Sequence, residues 1–130
     1  MPPAVATIDT GTRLAVDRTW LAHERTMLAW VRTAASLISF GFTIYKFFQL
    51  EISKLAEGRP EPLIGPREFA MILIATGIGA LILAFIEHRR SMKQLRREYG
   101  DIMPKSVAGL VASIVGGLGT LSILAVILRL

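Results

Sequence analysis

The sequence predicts an all-α integral membrane protein with three transmembrane helices, the first of them extended at its N-terminal end. Hydrophobic residues make up 52% of the 130 residues and the mean hydropathy is +0.51, which is too apolar for an ordinary soluble domain of this size. Three apolar segments alternate with connectors that are rich in glycine, proline and charge. We therefore expect one three-span membrane domain over residues 1–130, with no room for a second, catalytic domain.

The net charge of +5 is compatible with nucleic-acid binding when taken alone, but the basic residues cluster beside the apolar segments. This placement favours anionic lipid headgroups and the positive-inside rule over nucleic acid as the explanation. The absence of cysteine excludes disulfides, thiolate metal ligands and thiol nucleophiles. No phosphate-binding glycine loop, zinc motif or hydrolase elbow occurs, so we expect neither an enzyme nor a cofactor.

The first helix is predicted over residues 18–48, after a flexible tail over residues 1–16. Asp17 is a suitable N-cap for a helix that begins at the next residue. Asp9 or Thr12 could equally begin an earlier amphipathic turn.

One face of this first helix is polar from end to end. Helical neighbours recur at three and four residues, so alternating steps of four and three follow one face. At about 1.5 Å rise per residue this row is about 30 Å long, close to the thickness of the hydrocarbon core of a bilayer. The members of this polar row are charged, hydroxylated or small: Arg25, Ala29, Arg32, Ser36, Ser39, Thr43 and Lys46.

Two explanations of the polar row remain open. A charged side chain at the centre of the lipid costs about 2.5–3.5 kcal/mol, so the row should contact protein or water. Alternatively, Arg32 and Lys46 lie near the ends of the span and extend to the headgroups, while serine and threonine bond back to their own helix. The opposite face suits lipid or a packed bundle and carries Trp30, Leu37, Ile38, Ile44, Tyr45 and Phe48.

Two further spans are predicted over residues 69–86 and 106–128, both without charge. Small residues at spacings of four would let another helix approach each of them closely, among them Gly79 and Gly117. The connector over residues 49–67 contains similar numbers of acids and bases and could begin with a continuation of the first helix through Leu55. The connector over residues 87–105 is strongly basic, and Gly100, Asp101 and Pro104 end its helical pattern.

Three spans place the N-terminal region and the second connector on the same side of the membrane. Nine basic residues lie on that side, against three in the first connector. We therefore expect the N terminus in the cytoplasm and the C terminus on the opposite side of the cell inner membrane. A cytoplasmic partner or a phosphate-collecting vestibule is the alternative role for the second connector, which is otherwise expected to contact lipid headgroups through Arg89, Arg90, Lys93, Arg96 and Arg97.

The run from His23 to Ala34, HERTMLAWVRTA, resembles the signature of the YidH-like family of small three-span membrane proteins, the domain of unknown function 202. This family includes the small membrane subunit of the vacuolar transporter chaperone complex, which synthesises polyphosphate and moves it across a membrane. The resemblance implies an assembly of helices around a basic pore. His23 departs from the commoner asparagine of the signature, and without a polymerase domain we expect any polyphosphate to come from elsewhere.

The polar row and the resemblance together predict an oligomeric inner-membrane protein that forms a basic pore or vestibule for anions, with phosphate or polyphosphate as candidates. Guanidinium groups suit phosphate because they stay charged and donate paired hydrogen bonds. Five copies is the number implied by analogy with the related complex. The expected anion-binding or pore-lining residues are Arg25, Arg32, Ser36, Ser39 and Thr43, with Lys46 at the opposite mouth.

Glu24 and Arg25 point about 100° apart on one helix, so we expect them to pair between subunits; a solvated acid is the alternative for Glu24. His23 and His88 have no close ligand partners and are expected to cap helices or face headgroups, with no metal bound. An acid/base pair of Glu24 and Glu87 has nothing to hold it together. The rival function is a non-conducting membrane scaffold or accessory subunit that binds acidic lipid or a protein partner.

Overall fold

The computed structural model describes residues 9–55, 63–100 and 105–130. It contains three α-helices, α1 (Thr10–Leu55), α2 (Pro66–Tyr99) and α3 (Val107–Leu128), and the described residues form no β-strand. Each helix is long and apolar enough to cross a membrane. The predicted all-α, three-span membrane fold is therefore confirmed.

Two of the helices are longer than a bilayer requires. The 46 residues of α1 and the 34 residues of α2 rise about 69 Å and 51 Å, against about 30 Å of hydrocarbon. α1 continues beyond the predicted 18–48 at both ends: it begins at Thr10, directly after the alternative start Asp9, and ends at Leu55, where the continuation of the first helix was expected to end. Residues 10–16, predicted as part of a flexible tail, are therefore helical, and residues 1–8 lie outside the described residues. The connectors predicted over residues 49–67 and 87–105 are described in part, because residues 56–62 and 101–104 lie outside the described ranges.

The end of α2 shows why this helix continues past its apolar run. Arginine, lysine, glutamine, glutamate and methionine dominate the segment after Ile86, and all of them favour helix. Gly100 then ends the helix with φ at 72°, and its N–H donates to the carbonyl of Arg96. Such a left-handed φ is readily adopted by glycine alone.

The inner face of α1 is a row of buried residues at alternating spacings of three and four: Glu24, Met27, Val31, Ala34, Ile38, Gly41 and Tyr45. This spacing is the seam of a left-handed helix pair. At about 100° per residue, the polar row lies roughly 140° around α1 from this seam. The seam therefore packs against the other helices, and the polar row faces away from them.

Close packing between α1 and α2 depends on two glycines. A Cβ atom at Gly41 would lie 3.0 Å from the carbonyl oxygen of Ala70 and 2.9 Å from Cγ1 of Ile74. A Cβ atom at Gly77 would lie 3.1 Å from the carbonyl oxygen of Ala34. Both positions let backbone approach backbone, which is how small residues hold transmembrane helices together.

The small residues of α2 and α3 are divided between two faces: Ala112 is buried in the core and Ala84 packs against it, whereas Gly79 and Gly117 point elsewhere. Neither Gly79 nor Gly117 has a described atom within 4 Å of an added Cβ, whereas Gly119 would meet Cδ1 of Ile38 at 2.8 Å. Contacts through Gly79 and Gly117 are therefore not made among the described residues of this chain. A contact with another helix there stays a prediction.

Candidate functional site

The polar row is largely uncovered by the three-helix unit. Arg25, Arg32, Ser36, Ser39 and Thr43 are exposed, and so is Ala29, while Lys46 is half-buried. The structure thus brings the predicted pore-lining residues together on the outer side of α1. Their role in anion binding stays a prediction.

The hydroxyl groups of the polar row are bonded within α1. Ser36 Oγ donates to the carbonyl oxygen of Arg32 at 2.9 Å, and Thr43 Oγ1 donates to that of Ser39 at 2.7 Å. Thr33, beside the row, donates to the carbonyl of Ala29 at 3.1 Å. Bonding back to the helix removes the need for an external acceptor at these positions. This part of the alternative explanation is confirmed for Ser36 and Thr43.

Lys46 lies at the end of α3. Its Nζ donates to the carbonyl of Leu130 and, at 3.4 Å, to Oε1 of Gln49. Arg67 of α2 donates from Nη2 to the carbonyl of Ile127 at 3.2 Å. Two cations from two helices therefore donate to backbone oxygens at this end of the chain: Arg67 to Ile127 in the last turn of α3, and Lys46 to Leu130, two residues beyond the helix, where the helix dipole favours positive charge. The place of Lys46 at a pore mouth stays a prediction, and the role of Arg67 was not foreseen.

At the other end of α3, a buried acid joins two helices. Glu24 is only 7% exposed, and its Oε2 accepts a hydrogen bond from the backbone N–H of Ala108 at 3.0 Å. Its second oxygen, Oε1, lies 3.8 Å from Nε2 of His88 and has no hydrogen-bond partner among the described residues. A carboxylate at this position satisfies one of the free N–H groups of the first turn of α3 and lies at the positive end of its dipole.

His88 brings α2 into the same contact. It is 7% exposed, and its Nε2 lies within hydrogen-bond distance of the Ser106 hydroxyl, at 2.9 Å. Ser106 is the N-cap of α3 and accepts a hydrogen bond from the N–H of Gly109 at 3.1 Å. We call Glu24, His88 and Ser106 the polar cluster, since they join all three helices at one point.

Glu24 lies within the polar cluster and not at a solvated helix entrance. The alternative of a solvated acid is wrong, because the side chain is buried inside its own chain. Glu24 and Arg25 do point to different sides, Arg25 being exposed. An intersubunit bridge between them stays a prediction, although one oxygen of Glu24 already has a partner within the chain.

Two members of the polar cluster went unrecognised in the sequence. A serine directly before an apolar run is an N-cap signal, and this signal was available at Ser106. His88 was expected to cap a helix or face headgroups, without a named partner. The Glu24 to Ala108 contact joins residues 84 positions apart, and no local spacing indicates it.

A groove between α2 and α3 opens beside the polar cluster. Its volume is about 510 Å³. The Arg89 guanidinium lies over the ring of Phe85, 5.0 Å from its centroid, in a cation–π contact. We call this site the basic groove; the described residues that line it are Phe85, His88, Arg89, Met92, Lys93, Arg96, Ser106, Gly109, Leu110 and Ser113.

A family model described as "Domain of unknown function (DUF202)" matches residues 18–94. The chain belongs to the DUF202 family. This confirms the predicted membership, while the finer likeness to YidH-like proteins and to the vacuolar chaperone subunit stays a prediction. No curated protein and no solved structure matches the chain.

The DUF202 match covers some features of the site and leaves others out. It includes the whole polar row together with Glu24 and His88, and it ends before α3 begins. Ser106 and Ala108, which complete the polar cluster and receive Glu24, lie beyond it. In this DUF202 protein, Glu24 and His88 lie within the family match, and the residues that contact them at the start of α3 lie outside it.

Proposed function

We propose that this DUF202 protein is an oligomeric membrane protein in which copies of α1 meet through their polar rows and enclose a basic passage for anions. The observation that carries the proposal is the exposure of Arg25, Arg32 and the three hydroxylated residues of the row on the outside of the three-helix unit. Polar and charged groups at membrane depth are costly in contact with lipid. Another copy, or water enclosed by several copies, would remove this cost.

Arg25 and Arg32 supply the chemistry of the passage. Both guanidinium groups are exposed on one face of α1, two helical turns apart, so several copies would present two rings of fixed positive charge. Such rings attract phosphate through paired hydrogen bonds, and they attract smaller anions as well. Phosphate or polyphosphate as the transported anion, and five as the number of copies, follow from the resemblance to the vacuolar chaperone subunit.

A non-conducting scaffold is the second candidate function, and one observation favours it. Ser36 and Thr43 use their hydroxyl hydrogens within α1, and Lys46 donates to α3. Much of the polar row could therefore be sealed against another copy without leaving donors unpaired. Arg25 and Arg32 would then anchor α1 at the membrane surface.

Thiol labelling tests whether water reaches the polar row. The chain has no cysteine, so Ser36→Cys, Ser39→Cys and Thr43→Cys each create a unique thiol. Leu118→Cys and Leu121→Cys are matched controls, because these apolar side chains of α3 are 57% and 63% exposed. We expect a membrane-impermeant thiol reagent to label the row variants and to spare the α3 variants. Protection of both sets from the reagent would favour the scaffold if, in addition, oxidation of the row variants forms disulfides between copies.

Anion flux in liposomes tests the passage itself. We expect the purified oligomer to conduct phosphate or chloride, and the Arg25→Gln/Arg32→Gln double variant to lose about tenfold or more of that flux. Arg90→Gln/Arg97→Gln removes the same charge from exposed positions on α2 and should retain the flux. A wild-type oligomer without flux, or equal flux in the two double variants, would contradict the passage.

A further inference from the structure

The basic groove lies where α2 passes from apolar to polar sequence and where the apolar helix α3 begins. On α2 the uncharged run 69–86 ends at Glu87, and the groove extends from Phe85 on one side of this boundary to Arg96 on the other. On α3 the groove begins at the N-cap Ser106 and reaches Ser113 within the apolar helix. The groove therefore crosses the boundary between hydrocarbon and headgroups rather than lying on one side of it.

The basic and the apolar side chains that line the groove lie on opposite sides of this boundary. Arg89, Lys93 and Arg96 follow the boundary on α2, whereas Phe85 and Leu110 lie on the apolar side. Among the described residues that line the groove, every formally charged side chain is basic. Ser106 adds a hydroxyl at the level of the boundary. A ligand that fits this lining carries negative charge at one end and hydrocarbon at the other.

We propose that the basic groove binds one anionic glycerophospholipid. The headgroup phosphate lies among Arg89, Lys93 and Arg96, and the first part of an acyl chain lies against Phe85 and Leu110. A volume of about 510 Å³ accommodates a headgroup and the start of the chains, and the remainder of the lipid stays in the bilayer. Free phosphate leaves the apolar half of the groove unused, which is why a lipid is the preferred occupant.

The arginines of the second connector fall into two groups, those that line the basic groove and those that do not. Arg89 and Arg96 line the groove, and the position of Arg89 over Phe85 holds its charge at the boundary. Arg90 and Arg97 are exposed and do not line it, although each is the next residue along the chain. Binding of a lipid in the groove requires Arg89 and Arg96. A general attraction to acidic membrane would depend equally on Arg90 and Arg97.

This lipid site is independent of the proposed passage. The groove is formed by α2 and α3, and the polar row belongs to α1. A protein that conducts nothing could still bind the lipid, and a protein that conducts anions could lack the site. The two proposals therefore succeed or fail separately.

Thermal unfolding of the purified full chain in neutral detergent provides the test. Phosphatidylglycerol, phosphatidylcholine with the same acyl chains, and inorganic phosphate are titrated separately, and the rise in melting temperature gives an apparent affinity. We expect phosphatidylglycerol to stabilise the wild-type protein more than the other two. Its affinity should fall about tenfold or more in Arg89→Ala/Arg96→Ala and stay within about twofold in Arg90→Ala/Arg97→Ala.

Leu110→Trp provides an independent variant that keeps every charge. A large ring at this position fills the apolar half of the groove, so we expect the affinity for phosphatidylglycerol to fall by a similar factor. This variant alone decides the outcome if Arg89→Ala/Arg96→Ala does not fold. Equal stabilisation by phosphatidylcholine, equal losses in the two arginine pairs, equal protection by inorganic phosphate, or full affinity in Leu110→Trp would each overturn the proposal.

Discussion

The carboxylate of Glu24 accepts a hydrogen bond from the backbone N–H of Ala108 at 3.0 Å, and this contact joins the seam of α1 to the first turn of α3. The contact is buried and lies at the end of α3 where free N–H groups and the helix dipole favour negative charge. With His88 contacting Ser106, all three helices meet there. Stability should therefore depend on this acid more than on any exposed one.

Glu24→Ala is expected to lower the free energy of unfolding by about 2 kcal/mol, because it leaves the Ala108 N–H buried without an acceptor. Glu24→Gln should lose less, since its amide oxygen can still accept this hydrogen bond. Glu98→Ala is the control, because Glu98 is an exposed acid on α2. Denaturant unfolding of the purified protein in detergent measures all three. Equal stabilities of Glu24→Ala and Glu98→Ala would contradict the role of the contact.

Ser106→Ala is expected to lower the free energy of unfolding by about 1 kcal/mol, because the N-cap of α3 is lost. Amide hydrogen exchange at Gly109 should also become faster, since its N–H donates to Ser106 Oγ. Ser113→Ala is the matched control. Its hydroxyl bonds back to the carbonyl of Gly109, so little stability should be lost. Unchanged exchange at Gly109 in Ser106→Ala would count against the cap.

Gly41→Ala is expected to destabilise the protein by about 1–3 kcal/mol, because the added methyl group meets Ile74 and the Ala70 backbone. Gly79→Ala should be neutral or stabilising, since no described atom lies within 4 Å of its added Cβ and alanine favours helix more than glycine does. Thermal unfolding of both variants measures the difference. If the two melting temperatures shift alike, the close approach of α1 and α2 at Gly41 is wrong.

Arg67→Met is expected to loosen the last turn of α3, because the carbonyl of Ile127 loses its cationic donor. A charge at a helix C terminus is worth about 0.3–1 kcal/mol, so the loss should be local and modest. Hydrogen exchange in the last turn of α3 should become a few-fold faster. Lys54→Met, on the exposed end of α1, is the control and should leave this exchange rate unchanged.

Cysteine labelling in intact cells tests the predicted orientation. Three spans put Arg97 and Leu63 on opposite sides of the membrane, and the excess of basic residues predicts that Arg97 lies in the cytoplasm. An impermeant thiol reagent should therefore label Leu63→Cys in intact cells and Arg97→Cys only after the cells are broken. The reverse result would invert the orientation without affecting the fold.

The features that could be predicted from the sequence depend on local spacing. Apolar runs of membrane length predict the three helices, and the alternation of three and four residues predicts that one face of α1 is polar throughout. The predicted span 69–86 stops short of Tyr99 because hydropathy reports only the segment inside the membrane, whereas the helical pattern of the second connector was expected to end at Gly100. The charged residues that follow favour helix regardless of their surroundings.

The choice of packing face could not be predicted with the same success. α2 and α3 are apolar on nearly every side within their spans, so no contrast between polar and apolar residues indicates which side faces the bundle. Gly77 and Gly79 are two positions apart and equally small, yet only Gly77 meets α1. The polar cluster and the basic groove were missed for a related reason, since residues distant in sequence form both.

α1 is bonded to the chain at both ends of α3. Glu24 reaches Ala108 and Lys46 reaches Leu130, and both pairs are separated by 84 positions in the sequence. Glu24 and Lys46 are 22 positions apart on α1, a rise of about 33 Å, and Ala108 in the first turn of α3 and Leu130, two residues beyond its end, are the same number of positions apart. The two contacts fix the register of α1 against α3, because sliding either helix by one turn breaks both of them. Tilting is one response to a bilayer of different thickness, and a tilt that keeps both contacts moves α1 and α3 together.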